Sequence, residues 1–309
     1  MSSFAPTTVV VRVPGKVNLQ LSVGPKEEDG FHTIVTVFQA ISLFDEITMS
    51  QGLQGTGIVI TVSGDHTHGV PIDANNLSAK AAQLMVKKYD LPGDLQIEIK
   101  KNIPVAGGMA GGSADAAGTI LALDALYCLG MTREDMHAIA KKLGSDVPFM
   151  LTGGTAVGRG RGDDVTSALS RGTYYWVLAL STSGLSTPAV YAECDRLRAE
   201  LEIANPQAND QLLQALLGAD SIQVGKNLIN DLGSAAISLR PALRLILDVG
   251  NEYGALGSIV SGSGPTVAFL VADEEHALDL TVALTSSGVV GSVTRATGPV
   301  HGAKVIDVR

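Results

Sequence analysis

Hydrophobic and polar positions along the chain repeat with two different periods. Residues 94–100 alternate with period two, which places the three apolar side chains on one face and predicts a strand. After Asn76, apolar residues recur every three to four positions, which predicts a helix with Asn76 as its N-cap. Such segments alternate in the first half and follow a less regular order afterwards. We therefore predict an α+β chain with two domains, 1–165 and 166–309.

The first predicted strand carries polar residues among apolar ones. The run 9–13 is β-branched, Pro14 and Gly15 interrupt it, and period two resumes over 16–23. This alternation predicts one face with Val17, Leu19, Leu21 and Val23 and an opposite face with Lys16, Asn18 and Gln20. Taken alone, the pattern favours a solvated strand edge for Lys16 and Asn18.

The other periodic segments predict the rest of the secondary structure. Strands are predicted at 31–43, at 57–62, at 174–180, after a glycine turn within 258–271, and at the end of the chain. Helices are predicted at 114–129, at 132–143 with a Thr132–Asp135 capping box, between 189 and 217, at 241–253 and at 274–286.

Glycine is abundant and clustered. The chain has 35 glycines among 309 residues, and they concentrate at 107–112, 153–162 and 254–264. The first cluster belongs to a loop, 104–113, between a predicted strand and a predicted helix, where backbone N–H groups can surround an anion. Its spacing matches neither a Walker A loop nor G-x-G-x-x-G. The stretch favours phosphate binding over a tight turn made only for packing.

Charge and cysteine content narrow the class of protein. The net charge of −9 and the pI near 5.1 argue against a nucleic-acid or anionic-membrane partner, while a small anionic ligand needs only a local positive field. Two cysteines, Cys128 and Cys194, form neither a disulfide framework nor a metal cluster. Neither a signal peptide nor a membrane-spanning apolar run is evident. We expect a soluble cytoplasmic protein.

Several polar residues are ambiguous when each is considered alone. Asp146, just before Val-Pro, suits a helix cap and a general base equally well. A lone histidine such as His32 more often has a structural role. Arg159 and Arg161 are expected to be solvated, and the segment 261–266 resembles a backbone anion nest only weakly.

In combination, five motifs point to a known family. They are PGKVNL at 14–19, GFH at 30–32, PVAGGMAGGSA at 104–114, GSDVP at 144–148 and GSGP at 262–265. In this order they resemble the GHMP small-molecule kinases over most of the chain. The resemblance implies a GHMP kinase fold, with an N-terminal α/β domain like ribosomal protein S5 domain 2 and a C-terminal ferredoxin-like domain. ATP and substrate would meet in the cleft between them.

The resemblance also implies roles for individual residues. Lys16 and Asp146 correspond to the catalytic lysine and aspartate, and ATP with Mg²⁺ would be the phosphoryl donor. No carboxylate cluster fixes the metal, for which Ser113 is a candidate ligand at best. Substrate contacts would come from Asn18, Phe31, His32 and Tyr191. The loop around the ATP phosphates would comprise Pro104, Val105, Ala106, Gly107, Gly108, Met109, Ala110, Gly111, Gly112, Ser113 and Ala114.

Three of the motifs, KVN, GFH and GSDVP, are more specific to one branch of the superfamily. That branch phosphorylates the 2-hydroxyl of a cytidine-diphosphate-linked methylerythritol in non-mevalonate isoprenoid biosynthesis. A monomer or weak homodimer without nucleic-acid or membrane partners is expected. The alternatives are another GHMP kinase, acting on a mevalonate derivative, homoserine or a sugar, and a non-catalytic nucleotide-binding regulator. A dinucleotide oxidoreductase is improbable because the G-x-G-x-x-G register fails.

Overall fold

The computed structural model describes residues 6–105, 107–181 and 184–309, which form two β-sheets with helices packed against them. The first sheet contains β1 (Thr8–Lys26), β2 (His32–Gln51), β3 (Ile58–Ser63), β4 (Leu95–Lys100), β5 (Thr155–Arg159), β6 (Asp164–Ser167), β8 (Ile229–Asn230) and β12 (Lys304–Val308). The second contains β7 (Tyr174–Leu180), β9 (Gly257–Val260), β10 (Val267–Val271) and β11 (Ser292–Gly298).

The helices fall into two groups along the chain. Before β7 come α1 (Leu77–Tyr89), α2 (Gly111–Leu126), α3 (Arg133–Leu143) and α4 (Val147–Thr152). After β7 come α5 (Thr187–Leu197), α6 (Asp210–Gly218), α7 (Ser221–Lys226), α8 (Gly233–Leu239), α9 (Ala242–Glu252) and α10 (Glu274–Ser287).

The strand β1 differs from its prediction in two ways. Pro14 and Gly15 do not end the strand, because they form an irregularity in its pairing with β2, and the ladder continues on both sides. A second irregularity, between Asn18 and Gln20, changes which side chains share a face. Consequently Val17 and Leu19 belong to the first hydrophobic core, whereas Leu21 and Val23 belong to the second. The predicted common face for these four residues is therefore wrong.

The second sheet has the strand order β11–β7–β10–β9, with antiparallel neighbours throughout. When the four strands of this sheet are numbered by their order along the chain, the spatial order is 4-1-3-2, which is the ferredoxin-like arrangement. The predicted strand at 174–180 is confirmed as β7. The segment 258–271 contains two strands, β9 and β10, joined by the third glycine cluster. This strand order agrees with the C-terminal ferredoxin-like domain expected from the sequence.

Two hydrophobic cores support the two sheets. In the first, α2 packs directly on β1 and β2 and is buried along most of its length. In the second, α5, α8, α9 and α10 cover β7 and β10. The two sheets are linked by a buried hydrogen bond, because the Trp176 indole Nε1 on β7 donates to Gln39 Oε1 on β2 over 2.9 Å.

The residues after position 165 do not all belong to the second sheet. Both β8 and β12 come after this position, yet each pairs with β1 in the first sheet. The backbone N–H of Thr7 also donates to the carbonyl oxygen of Arg309 over 2.7 Å. The domain boundary near 165 stays a prediction, and the chain crosses between the sheets more than once.

Candidate active site

A cavity of about 980 Å³ opens between the two sheets. Five basic side chains line it, Lys16, Lys26, Lys141, Lys142 and Arg161, against three acidic ones, Asp146, Asp163 and Asp195. This local excess of positive charge contrasts with the net charge of −9 for the chain. The volume of the cavity and the positive charge of its lining suit an anionic ligand of the size of a nucleotide.

The glycine-rich loop forms one wall of the cavity and leads into α2. Ala110 precedes the helix with φ +59 and offers no side-chain cap. The first helical acceptor, the Ala110 carbonyl, bonds to Ala114 N over 2.9 Å, so the N–H groups of Gly111, Gly112 and Ser113 precede the helical ladder. With the positive end of the helix dipole, these donors can bind phosphate oxygens.

Lys16 extends from β1 to the glycine loop and is 4% exposed. Its Nζ donates to Asn18 Oδ1 over 2.6 Å and to the Gly108 carbonyl over 2.7 Å. Burial lowers the pKa of Lys16, and the Asp146 carboxylate partly opposes that shift. The predicted solvated strand edge is thus wrong, because the second domain covers this part of β1.

The orientation of Asn18 follows from its neighbour Thr36. The Thr36 hydroxyl donates to the Gln20 carbonyl over 2.7 Å, so its oxygen accepts the Asn18 Nδ2 hydrogen over 2.8 Å. The Asn18 carbonyl oxygen therefore faces Lys16. Two neutral oxygens hold the ammonium in place without neutralising its charge.

Asp146 stands immediately before α4. Its side chain makes no capping hydrogen bond to the helix, and its backbone is helical, with φ −82 and ψ −17. Asp146 therefore occupies the N-cap position expected for a helix cap, but its side chain does not cap the helix. The carboxylate oxygen Oδ2 lies 3.9 Å from Lys16 Nζ, with the Asp146 side chain 31% exposed. The pair brings an acceptor of protons and a cation together at the cavity wall.

His32 and Tyr191 occupy another part of the cavity. Their ring centroids are 5.3 Å apart, and His32 Nε2 lies 2.7 Å from Asp195 Oδ1. Burial raises the pKa of Tyr191 to about 12, with a further contribution from Asp146, so its hydroxyl stays protonated at neutral pH. The Asp195 carboxylate and the Tyr191 ring fix the orientation of the His32 ring, which can therefore contact a ligand in the cavity.

Phe31 lies at the rim and is 55% exposed. The Arg161 guanidinium carbon lies 3.9 Å from its ring centroid, and Arg161 Nη2 lies 2.6 Å from Asp29 Oδ2. Arg161 was expected to be simply solvated, but it stacks on an aromatic ring of the cavity. The exposed ring gives a surface on which a planar group can stack.

The third glycine cluster reaches the same cavity from the second sheet. Gly262, Ser263 and Gly264 line it, and the Ser261 hydroxyl donates to the Gly108 carbonyl over 3.1 Å. Gly108 has φ +73, and a Cβ there would overlap the Ser261 carbonyl oxygen. Glycine is therefore needed at 108 for the two loops to touch.

Most residues predicted for the site lie in the cavity wall, but some do not. Among the predicted ATP loop residues, Met109 and Ala114 are fully buried in the first core, and Val105 is exposed but does not line the cavity. The side chains of Met109 and Ala114 pack under the loop and therefore cannot contact a ligand in the cavity. Ala106 lies outside the described residues.

Sequence reasoning missed two polar groups near the site. Asp195 lies four residues after Tyr191, so the helical spacing could have placed it on the same face. Lys101 continues the buried alternation of β4 and forms ion pairs with Asp45 and Asp115. Burial raises the pKa of Asp115 to about 8, although Lys101 opposes that shift.

Within the described residues, no group of three His, Cys, Asp or Glu side chains is arranged to hold a metal ion. No helix in the same ranges is long and apolar enough to cross a membrane.

Comparisons with known proteins agree with this geometry. Residues 76–154 match the GHMP kinases N terminal domain and residues 211–290 the GHMP kinases C terminal domain. A 4-diphosphocytidyl-2-C-methyl-D-erythritol kinase of Mycolicibacterium smegmatis is 50% identical over 97% of this chain and 92% of its own length. One of Thermobifida fusca is 48% identical over 98% of this chain and 99% of its own.

Solved structures show the same family and fold. A crystal structure of 4-(cytidine 5'-diphospho)-2C-methyl-D-erythritol kinase, 30% identical, superposes with a TM-score of 0.73 over 93% of this chain and 98% of its own. The L. major mevalonate kinase has a TM-score of 0.77 over 96% of this chain and 97% of its own, but at 17% identity it supports the fold alone. The chain therefore belongs to the GHMP kinases and, among them, to the 4-diphosphocytidyl-2-C-methyl-D-erythritol kinases.

Proposed function

We propose that this protein transfers the γ-phosphoryl group of ATP to the 2-hydroxyl of 4-diphosphocytidyl-2-C-methyl-D-erythritol, in non-mevalonate isoprenoid biosynthesis. One observation carries the proposal: Lys16 and Asp146 face each other over 3.9 Å in the cavity that the glycine-rich loop borders. The names of relatives about half identical over nearly the full chain supply the substrate.

The ATP phosphates would lie against the glycine loop. The N–H groups of Gly111, Gly112 and Ser113 precede the helical ladder of α2, and Gly107, Gly108, Gly111 and Gly112 carry no side chain that would keep the backbone away from a phosphate. Phosphoryl transfer depends mainly on alignment and neutralisation of charge, which these donors and Lys16 supply.

Asp146 would accept the proton of the attacking hydroxyl. Its carboxylate is not engaged in a helix cap and lies 3.9 Å from the Lys16 ammonium, so it is free to act as a base beside that cation. The Lys16 ammonium is fixed by Asn18 Oδ1 and the Gly108 carbonyl, which leaves its charge available to the hydroxyl and the transferred group.

The cytidine end of the substrate would bind near the rim. Phe31 offers an exposed ring for stacking, with Tyr191 as a second aromatic partner, and His32 is oriented by Asp195. Mevalonate and homoserine carry no aromatic ring that could stack on these side chains. This group of residues therefore favours a nucleotide-bearing substrate.

Mg²⁺ would arrive with ATP and neutralise phosphate charge. The described residues build no cage of three acidic or imidazole ligands around the cavity. Ser113 lines the cavity beside the loop and is the candidate protein ligand. Water and phosphate oxygens would complete the coordination of this ion.

An ADP-release assay tests the proposal with four acceptors: 4-diphosphocytidyl-2-C-methyl-D-erythritol, mevalonate, homoserine and galactose. We expect turnover with the cytidine compound alone. Turnover of a competitor without turnover of the cytidine compound would reassign the substrate. ATP binding without any acceptor-stimulated ADP release would support the non-catalytic regulator instead.

A further inference from the structure

Asn230 joins the strand that carries Lys16 to the third glycine cluster. It ends β8, which pairs in parallel with β1 opposite Leu21. Its Nδ2 donates to the Val260 carbonyl over 2.6 Å and to the Gly262 carbonyl over 2.7 Å. Its Oδ1 accepts the Leu232 N–H over 2.9 Å. One half-buried side chain thus fixes the start of the 261–264 turn relative to the first sheet.

The turn that Asn230 holds lies directly over the Lys16 ammonium. Gly262 has φ +57, and a Cβ built there would be 3.3 Å from Lys16 Nζ and 3.5 Å from Asn18 Oδ1. The Ser261 hydroxyl shares with Lys16 the carbonyl oxygen of Gly108. The backbone of this turn therefore closes one side of the space around the ammonium.

We propose that Asn230 is a positioning residue for the reaction: its side-chain amide holds Gly262 over the Lys16 ammonium and keeps water away from it. Asn230 does not line the cavity, so its effect on the reaction would be exerted through the turn. The inference rests on the proposed function for its effect on turnover, but the exclusion of water from Lys16 is a separate physical claim.

The charges around Lys16 define what loss of Asn230 would do. From the start of α4, Asp146 faces the ammonium over 3.9 Å, and β1, β2 and the two glycine loops contribute neutral groups, Asn18, Phe38, Gly108 and Gly262. Burial lowers the pKa of Lys16. Without the amide, the Val260 and Gly262 carbonyls lose their donor, the turn loosens, and water reaches Lys16. The pKa of Lys16 then rises towards its ordinary value.

Lysine acylation followed by mass spectrometry tests this directly. In Asn230→Ala we expect Lys16 to react about tenfold faster than in the wild type, because the loss of the two hydrogen bonds that hold the turn, among the three that the side chain makes, changes the opening equilibrium by roughly that factor. Exposed Lys304 is the internal reference. Asn227→Ala is the matched control, since Asn227 caps α7 through a bond to the Gln223 carbonyl and does not touch the turn. Its Lys16 reactivity should equal that of the wild type.

The pH dependence of turnover provides a second readout. The alkaline limb of kcat should move to higher pH in Asn230→Ala and stay in place in Asn227→Ala, while KM for ATP changes little in both. Tyr191, with its pKa near 12, does not titrate in this range. If Asn230→Ala does not fold, Asn230→Asp removes the same donors and keeps the acceptor for Leu232 N.

Unchanged Lys16 reactivity in a folded Asn230 variant would overturn the inference, whatever the turnover. Acylation needs no catalysis. An inactive wild type would therefore contradict the proposed function and leave the acylation result valid.

Discussion

Two lysines are buried among the described residues, and their surroundings differ in kind. Lys101 is neutralised by the Asp45 carboxylate and also contacts Asp115, beneath the start of α2. Lys16 instead contacts two neutral oxygens, with its nearest carboxylate 3.9 Å away. Burying a cation without a close carboxylate partner lowers the stability of the fold, and groups that are buried in spite of this cost are typical of functional sites. We therefore assign Lys101 to structure and Lys16 to the reaction.

Lys101→Met should destabilise the fold by about 3–5 kcal/mol, because it leaves the buried Asp45 carboxylate without its cation and the Asp115 carboxyl group without a partner. Urea unfolding measures the change. The neighbouring Lys100→Met is the control, since Lys100 is 57% exposed and lies 3.7 Å from Glu46, a surface pair worth about 1 kcal/mol at most. Equal losses in the two variants would contradict the assignment.

Asp146→Asn should lower kcat by about 10²–10⁴-fold, the usual contribution of a positioned general base, and leave ATP affinity nearly unchanged. Steady-state kinetics and ATP titration measure the two effects. Asp164→Asn serves as the control, because Asp164 is 73% exposed and pairs only with Lys141 at 3.8 Å. Near-normal turnover in Asp146→Asn would remove this carboxylate from the base role.

At the scale of elements, α2 is positioned by glycine as much as by its apolar residues. Gly118 lies in the middle of the helix, where a Cβ would come within 2.6 Å of Ile47 Cγ1 and 2.8 Å of Val13 Cγ2. The helix can therefore approach β1 and β2 closely. Its N-terminus then points at the cavity, so the packing of Gly118 fixes where phosphate donors lie.

Gly118→Ala should cost about 1–3 kcal/mol through overpacking, although alanine is the better helix former. Gly233→Ala is the matched helical control: α8 begins at Gly233, and nothing lies within 4 Å of a Cβ there. That substitution should be neutral or slightly stabilising. Thermal unfolding compares them, and a gain in stability for Gly118→Ala would contradict the close packing.

Elements with local signals could be predicted from the sequence, and long-range effects could not. The Asn76 cap of α1 and the Thr132–Asp135 capping box of α3 were both found, because each depends on neighbouring residues. The irregularities of β1 and the burial of Lys16 were missed, since they depend on β2 and on the second domain. The candidate site could be predicted from the order of the motifs. The role of Asn230 could not, because its contacts with the 261–264 turn depend on the folded structure.

At the scale of the whole molecule, the cavity depends on how the two sheets are held together. The Trp176–Gln39 bond is buried between them, and Gln39 Nε2 has no partner of its own among the described residues. This link is therefore sensitive to the loss of either partner.

Trp176→Phe should cost about 1–3 kcal/mol from the unpaired Gln39 oxygen, in addition to lost packing. Adding Gln39→Met should recover part of that loss, because the unpaired amide of Gln39 is then removed. Urea unfolding of both single variants and the double variant gives the coupling between the two residues. Strict additivity would show that the hydrogen bond does not link the sheets energetically.

Because β12 pairs with β1, the same fold could be formed by a chain whose elements are connected in a different sequence order. Thr7 and Arg309 are in hydrogen-bond contact, and the turn around Gly69 is exposed. A circular permutant that joins Arg309 to Thr7 and opens at Gly69 would keep the pairing of the described strands and the residues that line the cavity. A single cut near residue 165 would instead separate β12 from the sheet it completes. Two such fragments would have to reassemble to fold, rather than behave as independent domains.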